Sequence, residues 1–301
     1  MTEPTYATRR AAALAHLTAA DPAAAFAEFR WTLQHPRVVA PAELADALGV
    51  LAQILVALGQ GELATGAARA SVDADDVGAL YQLGYDLIEA ELPAIAATVL
   101  ARALELAPGH EAVVTELCAA LERQLAYGDA RRVLERHPTL LAERFLCRYL
   151  YAFNAAMSAD LAVARRLLPG LTPEEPGHDA MVARIAGMVA RADRLAGGAP
   201  LDARDLRGWH HVIAGGVLWH RSPYGLDTPM HGRYAWLQDS YAGLAAGLAG
   251  LAAVLAAWRW TPACVFAPPG RGHEALAIAA AARLGAPVAP WPMVGAPSPA
   301  G

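Results

Sequence analysis

The chain has 301 residues, of which 55% are hydrophobic, and its formal net charge is -5 at pH 7. This acidic balance argues against a nucleic-acid-binding protein, because such proteins depend on a basic surface. All 24 basic residues are arginine, and the absence of lysine excludes a Walker-type phosphate loop and a lysine Schiff base, since each requires an ammonium group.

The three cysteines, Cys118, Cys147 and Cys264, are scattered and show no C-x-x-C spacing. Their odd number, and an N-terminus (MTEPTYATRR) without the apolar run of a secretion signal, favour reduced thiols in a cytoplasmic protein. Cys118 and Cys147 fall on apolar helix faces, so we expect them to be core residues. Neither the composition nor the motifs imply a cofactor.

The residue pattern of the first half of the chain predicts a series of paired helices. Asp21 and Pro22 are typical of the N-cap and the first position of a helix. The acidic run at residues 73–76 lacks the further ligands of a calcium loop, so we interpret it as another N-cap. Outside the central stretch we predict helices at residues 6–18, 22–34, 41–58, 62–70, 111–127, 129–136, 140–157, 160–168 and 178–195.

The central stretch, residues 80–108 (LYQLGYDLIEAELPAIAATVLARALELAP), contains two amphipathic segments broken by a proline. Gly84 and Ala96 allow two antiparallel helices to approach closely, and Leu83 and Leu100 fill the seam between them. This pattern resembles the tetratricopeptide repeat, whose signature is a large apolar residue, a Leu-Gly pair, small residues on the second helix and a closing proline. The resemblance implies an array of helical hairpins that binds a protein or peptide partner.

Neighbouring segments share parts of this pattern. The strings DARRVL (residues 129–134) and AVARRLL (residues 162–168) echo each other at a repeat-like interval, although Cys118 replaces the glycine in the pair after the central one. Pro169 and Gly170 end the array, and the helix at 178–195 is a plausible cap for it. We therefore assign residues 1–196 to one helical repeat domain.

One helix face of the central stretch is a candidate groove. Tyr81, Tyr85 and Glu89 share that face at four-residue spacing. In tetratricopeptide repeats this face receives the partner peptide, and the resemblance assigns Tyr151 and Asn154 to the same groove in the fifth pair. Amphipathic tyrosines suit such a surface. They also suit contacts between repeats, and the sequence leaves both interpretations open.

A glycine-rich segment at residues 197–200 marks a change in composition. After it, strand and helix patterns alternate, which predicts a small, Rossmann-like α/β domain with a short parallel sheet at residues 197–292, followed by a disordered tail at 293–301. The predicted strands are at 211–219, 263–267 and 287–291, and the predicted helices are at 233–258 and 273–284. The fold class is therefore mainly α, with a small α/β part.

The first of these helices includes an uncharged run at residues 241–258, YAGLAAGLAGLAAVLAAW, of nearly membrane-spanning length. Alanine and glycine dominate it, and its large residues recur at alternating spacings of about four and three. That spacing indicates a single apolar stripe. We interpret the run as a buried helix of the α/β domain rather than a membrane span.

Two loops of this domain are candidate ligand sites, because open parallel sheets bind ligands at the carboxyl ends of their strands. The second loop precedes a helix, where backbone N–H groups stabilise an anion. The candidate residues are His220, Arg221, His231, Arg233 and Asp239 in and after the first loop, and Gly270, Arg271 and Gly272 in the second. The histidines lack a metal-binding spacing, and the serines lack a G-x-S-x-G elbow, so we predict neither a metal site nor a catalytic triad.

The segment APPGRGHEALAIAAAARLGAPVAPW is similar to the pyrophosphate-loop region of type I phosphoribosyltransferases, in which a proline-arginine-glycine turn precedes a helix. The resemblance implies a phosphorylated small molecule near Gly270, Arg271 and Gly272. The chain departs from that family because no acidic pair and Thr/Gly-rich phosphate loop follow. The sequence thus favours a protein-interaction scaffold and leaves open an enzyme or ligand sensor, or a purely structural module.

Overall fold

The computed structural model describes residues 4–36, 40–195, 201–202, 205–217 and 240–291. The fold is mainly α-helical, as the sequence predicted, and a short parallel sheet lies near the end of the described residues. The chain divides into two compact units, Met1–Gly215 and Gly216–Gly301. This division comes later than the boundary that composition suggested at residue 197, because one more helix packs with the first unit.

The helices that the structure describes in the first unit follow the predicted order. They are α1 (Tyr6–Thr18), α2 (Pro22–Leu33), α3 (Pro41–Ala57), α4 (Gly61–Val72), α5 (Val77–Glu89), α6 (Pro93–Leu106), α7 (Glu111–Arg123), α8 (Tyr127–Glu135), α9 (Pro138–Glu143), α10 (Phe145–Met157), α11 (Leu161–Leu167), α12 (His178–Leu195) and α13 (Leu206–Ala214). Successive helices pack against each other, so contacts are mostly between neighbours in sequence.

Two of these helices begin at the side-chain N-caps that the sequence predicted. The carboxylate of Asp21 accepts a hydrogen bond from the N–H of Ala24 at 2.9 Å, and Pro22 is the first residue of α2. Asp76 accepts from the N–H of Ala79 at 3.0 Å and begins α5. The acidic run at residues 73–76 therefore supplies a cap, as predicted.

One predicted helix, at residues 140–157, is two helices in the structure. Arg144 lies between α9 and α10 with an extended backbone (φ -111°, ψ 121°), and its N–H donates to the carbonyl of Leu140 at 2.9 Å to close α9. The change of direction allows α9 and α10 both to pack against α8. The apolar pattern continues through the break and therefore does not indicate it.

The turns inside the helical hairpins share one geometry. In the α5–α6 turn, Glu91 has a left-handed backbone (φ 59°), and the N–H groups of Glu91 and Leu92 donate to the carbonyls of Ile88 and Leu87 at 3.1 and 2.8 Å. This is a Schellman motif, which satisfies the last carbonyls of a helix. The left-handed residues of the five hairpin turns are Ala20, Gly59, Glu91, Leu125 and Ala159, and the last four are separated by 32, 34 and 34 residues. The first unit is therefore a structural repeat array.

The close helix crossing predicted at Gly84 is present between α5 and α6. A Cβ atom added to Gly84 would lie 2.6 Å from Cδ2 of Leu100 and even closer to Cγ of the same side chain. Leu80, Leu83 and Leu100 are fully buried in a hydrophobic core that runs continuously from α1 to α10. Buried Cys118 and Cys147 belong to this core, as their positions on apolar faces indicated.

Residues 211–214 form the end of a helix, so the predicted strand at 211–219 is wrong there; residues 218 and 219 lie outside the described ranges. Val212 is fully buried in α13, which packs against α12. The guanidinium of Arg191 on α12 donates to the carbonyls of Val212 and Ile213 at 2.8 and 3.1 Å, and Gly215 ends the helix with φ 73°. A short apolar run does not distinguish a strand from a buried helix.

The second unit contains α14 (Tyr241–Ala257), β1 (Val265–Ala267), α15 (Arg271–Leu284) and β2 (Val288–Pro290). The two strands pair in parallel, with Val265 opposite Val288 and Ala267 opposite Pro290. This strand–helix–strand order confirms the α/β part of the prediction, with two of the three expected strands.

The prediction that α14 is a buried helix is wrong. Among its residues only Leu255 is buried, and the Tyr241 side chain is 95% exposed. Its large side chains are too sparse among alanines and glycines to cover one face with an apolar stripe. Within the described residues, no helix has both the length and the apolar character required to cross a membrane.

Candidate partner-binding surface

The predicted groove residues on α5 lie together on one face, but they differ in burial. Tyr81 is partly buried and packs against the core, and that burial, with Glu116 and Tyr85 nearby, raises the pKa of its hydroxyl. The Tyr85 side chain is 43% exposed, and Glu89 is exposed one turn further on. Tyr81 thus also seals the core, while Tyr85 presents its ring to solvent.

Two residues of α7 complete this surface, and the sequence reasoning missed them. Arg123 donates to the carbonyl of Ile88 at 3.1 Å and lies 3.5 Å from the Glu89 carboxylate. Glu116 is half-buried, and its pKa is raised by that burial and by the negative charge of Glu89. We call Tyr81, Tyr85, Glu89, Glu116 and Arg123 the α5–α7 face.

A signal for these two residues is present in the sequence. Glu116 and Arg123 each follow a residue of α5, Gln82 and Glu89, by 34 positions, which is the interval between the left-handed turns that end α5 and α7. Projecting Glu89 of the α5 face by one repeat therefore identifies Arg123, whereas Glu116 corresponds to Gln82, which is next to Tyr81 in the sequence.

A hollow of about 470 Å³ opens at the carboxyl end of α5. The turn between α3 and α4, Gly59–Leu63, forms one side, and Asp86, Glu89 and Ala90 form the other. It is lined by three carboxylates, from Glu62, Asp86 and Glu89. Glu89 belongs both to this lining and to the α5–α7 face.

The remaining groove candidates, Tyr151 and Asn154, lie elsewhere on α10. The Tyr151 hydroxyl donates to Glu135 of α8 at 3.0 Å, and the Arg131 guanidinium lies 5.8 Å from its ring centre. Asn154 is fully buried. The structure therefore does not bring these two residues to the α5–α7 face, and Asn154 does not line an open groove.

Asn154 instead supports a half-buried carboxylate. Its amide nitrogen donates to Glu122 at 2.6 Å and to the carbonyl of Leu150 at 2.8 Å. Burial raises the pKa of Glu122 above its ordinary value of 4.5, against the opposing effects of the Asn154 hydrogen bond and the positive charge of Arg184. The folded state therefore holds this carboxyl proton more tightly than the unfolded state does.

We expect Glu122→Gln to increase the free energy of unfolding at neutral pH and to have less effect at acidic pH. The wild-type protein loses stability as pH rises from the unfolded-state pKa through the raised folded-state pKa, because the folded state binds more protons there. Glutamine removes the buried charge and keeps an acceptor for Asn154. Urea unfolding across this pH range measures the difference, with Glu143→Gln on an exposed position as control. A gain that does not depend on pH would contradict the assignment.

The predicted anion loop lies at the start of α15. Gly270 is the N-cap, with φ 122°, a conformation that L side chains rarely adopt. The helix begins at Arg271 rather than at His273, so Arg271 and Gly272 belong to its first turn, and both are exposed. Nδ1 of His273 is 2.9 Å from the carbonyl oxygen of Pro269. Because glycine has no side chain, no N-cap oxygen occupies the first-turn N–H groups.

The other ligand candidates, His220, Arg221, His231, Arg233 and Asp239, lie outside the described residues. Where the structure does describe the chain, no three histidine, cysteine or acidic side chains come close enough to hold a metal ion. Comparison of the chain with models of known protein families, with curated proteins and with solved structures finds no match.

Proposed function

We propose that the first unit is a tetratricopeptide-repeat-like array that binds a protein or peptide partner, so that the chain acts as an interaction scaffold. Two features support this proposal. The last four hairpin turns recur at intervals of 32, 34 and 34 residues, close to the 34 residues of that repeat. The close approach of Gly84 to Leu100 lies where the repeat signature has its glycine.

The observation that carries the proposal is the exposure of Tyr85 beside half-buried Tyr81. A tyrosine that only sealed the core would be covered, yet the Tyr85 side chain is 43% exposed. Tyrosine is enriched at protein interfaces because it offers apolar area, a hydroxyl and few rotatable bonds. The α5–α7 face thus combines aromatic area with charged groups at its edge, as interface cores and rims do.

Selection of peptides from a displayed random library on the purified chain tests this proposal. We expect Tyr85→Ala to abolish binding of the selected peptides, and the double change of Tyr81 and Tyr85 to alanine to do the same without loss of helicity by circular dichroism. Tyr241→Ala removes a tyrosine that is 95% exposed in the other unit and is the matched control. Peptides that bind Tyr85→Ala and wild type equally would place the partner site elsewhere.

A second candidate function is binding of a phosphorylated small molecule by the second unit. It is favoured by the backbone of Gly270, which leaves the first turn of α15 without a side-chain cap at the carboxyl end of β1. N–H groups at such a helix start bind anions, and Arg271 adds a guanidinium suited to phosphate. This arrangement agrees with a phosphoribosyltransferase-like ligand sensor or enzyme.

We expect phosphate, pyrophosphate or a nucleotide to raise the melting temperature if this second function is correct. A ligand at a hundred times its dissociation constant adds about 2.7 kcal/mol to the free energy of unfolding. Arg271→Ala is expected to remove most of that gain and leave the unliganded melting temperature unchanged, because Arg271 is exposed. The absence of a shift with any of these compounds at millimolar concentration would eliminate this candidate.

A further inference from the structure

The surface around Tyr85 carries more negative than positive charge. Glu62, Asp86 and Glu89 line the hollow at the end of α5, and Glu116 lies beside Glu89 on the α5–α7 face. No residue that lines the hollow, within the chain the structure describes, is basic. Burial raises the pKa of Glu116, and the negative charge of Glu89 raises it further, against the positive charge of Arg123.

Among the described residues of this surface, Arg123 is a cation in contact with this group, and two of its nitrogens already have partners. One guanidinium nitrogen donates to the Ile88 carbonyl at 3.1 Å, near the end of α5, and another is 3.5 Å from Glu89. Asp86 accepts from the Gln82 side chain at 2.9 Å, which is a neutral donor. The described residues that line the hollow or form the α5–α7 face thus include four carboxylates and one guanidinium.

The exposed ring of Tyr85 adds a second feature that favours a cation. Arginine and lysine side chains are attracted to aromatic faces, and their aliphatic stems pack on apolar area while their charged ends remain near carboxylates. Tyr85 and Glu89 lie one helical turn apart on the same face. One long basic side chain can therefore contact the ring and reach toward the hollow.

From the carboxylates and the exposed ring, we infer that the partner of the α5–α7 face is a peptide segment rich in arginine or lysine. This inference rests on the proposed function. Apolar residues of the segment pack beside Tyr81 and Tyr85, and its basic side chains meet Glu89, Glu116 and the hollow. Charge complementarity of this kind selects among partners and accelerates encounter more than it adds affinity. An acidic segment meets like charges at the same place and is rejected.

Fluorescence anisotropy with labelled peptides of matched length tests the inference on the full chain. One peptide alternates arginine with leucine and alanine, a second carries glutamate in place of arginine, and a third carries glutamine. We expect the arginine peptide to bind most tightly and its affinity to fall with added salt, because exposed charge pairs are screened.

The double variant Glu89→Gln/Glu116→Gln is expected to weaken binding of the arginine peptide about ten-fold, since one exposed ion pair contributes up to about five-fold in affinity. The double variant Glu143→Gln/Glu175→Gln changes the net charge equally at exposed positions outside the face and is the matched control. Equal weakening by both double variants would reveal non-specific attraction and overturn the inference.

The remaining outcomes separate this inference from the proposed function. Tyr85-dependent binding of the glutamine or glutamate peptide that equals or exceeds binding of the arginine peptide overturns the cationic partner and leaves the interaction scaffold intact. If Tyr85→Ala changes the binding of none of the three peptides, and the random library also yields no Tyr85-dependent ligand, the proposed function fails together with the inference.

Discussion

Gly84→Leu is expected to lower the free energy of unfolding of the first unit by about 1–3 kcal/mol, the usual cost of overpacking a well-packed core. The added side chain must occupy space that Leu100 already fills, since even a Cβ atom would lie 2.6 Å from Cδ2 of Leu100. Leu100 belongs to the continuous core and Gly84 is buried beside it, so the clash forces α5 and α6 apart rather than displacing a flexible surface group. Urea or thermal unfolding measures the loss.

Gly66→Ala is the control for this prediction, because Gly66 also lies in a helix and faces a leucine. Its added Cβ would lie 3.6 Å from Cδ1 of Leu83, which is ordinary van der Waals contact. Replacement of a helical glycine by alanine in open space stabilises by about 0.5–1 kcal/mol. We therefore expect Gly66→Ala to stabilise the unit and Gly84→Ala to destabilise it. A stabilising Gly84→Ala would contradict the close crossing of α5 and α6.

Local chemistry explains which parts of the fold could be predicted from the sequence. Asp21 and Asp76 cap helices because a short carboxylate at a helix start accepts hydrogen bonds from the unpaired first-turn N–H groups, and the pattern is visible within four residues. Gly84 was identifiable because one missing side chain coincides with a leucine on the next helix. Both features depend on residues close together in the chain.

The failures have a different cause, since they depend on packing partners that are far away in the sequence. Residues 211–214 are helical because α12 covers Val212 and Arg191 caps the last carbonyls, and nothing within the segment itself indicates this. The exposure of α14 is an exception, because its cause lies within the helix, where large side chains are sparse among alanines and glycines. In the candidate site, Tyr85 and Glu89 were found from four-residue spacing, whereas Glu116 and Arg123 required the register of the neighbouring repeat.

Phe145→Ala is expected to lower the free energy of unfolding by about 3–5 kcal/mol, the usual cost of removing a buried phenylalanine. Phe145 is 2% exposed in a second core, which joins α10 to α12 and α13. Its ring stacks on His178 with 3.9 Å between ring centres and lies in a row with Tyr149 on α10. Loss of the ring leaves a cavity where the first residue of α12 meets α10.

The position of Phe145 determines which helices lose stability when its ring is removed. In an array whose elements contact mainly their neighbours, stability is close to a sum of local interface terms. The side chain of Phe145 packs in the core that includes α12, whereas Cys147 on the same helix packs in the core that begins at α1. We therefore expect Phe145→Ala to accelerate hydrogen exchange most in α12 and α13 and least in α1 to α4. For Gly84→Leu we expect the opposite order, with less acceleration in α12 and α13 than in α1 to α4.

Val72→Ala, at a side chain that is 88% exposed, is the control and is expected to change stability by less than about 0.5 kcal/mol. Uniform acceleration along the unit by both core variants would mean that the two cores unfold as one.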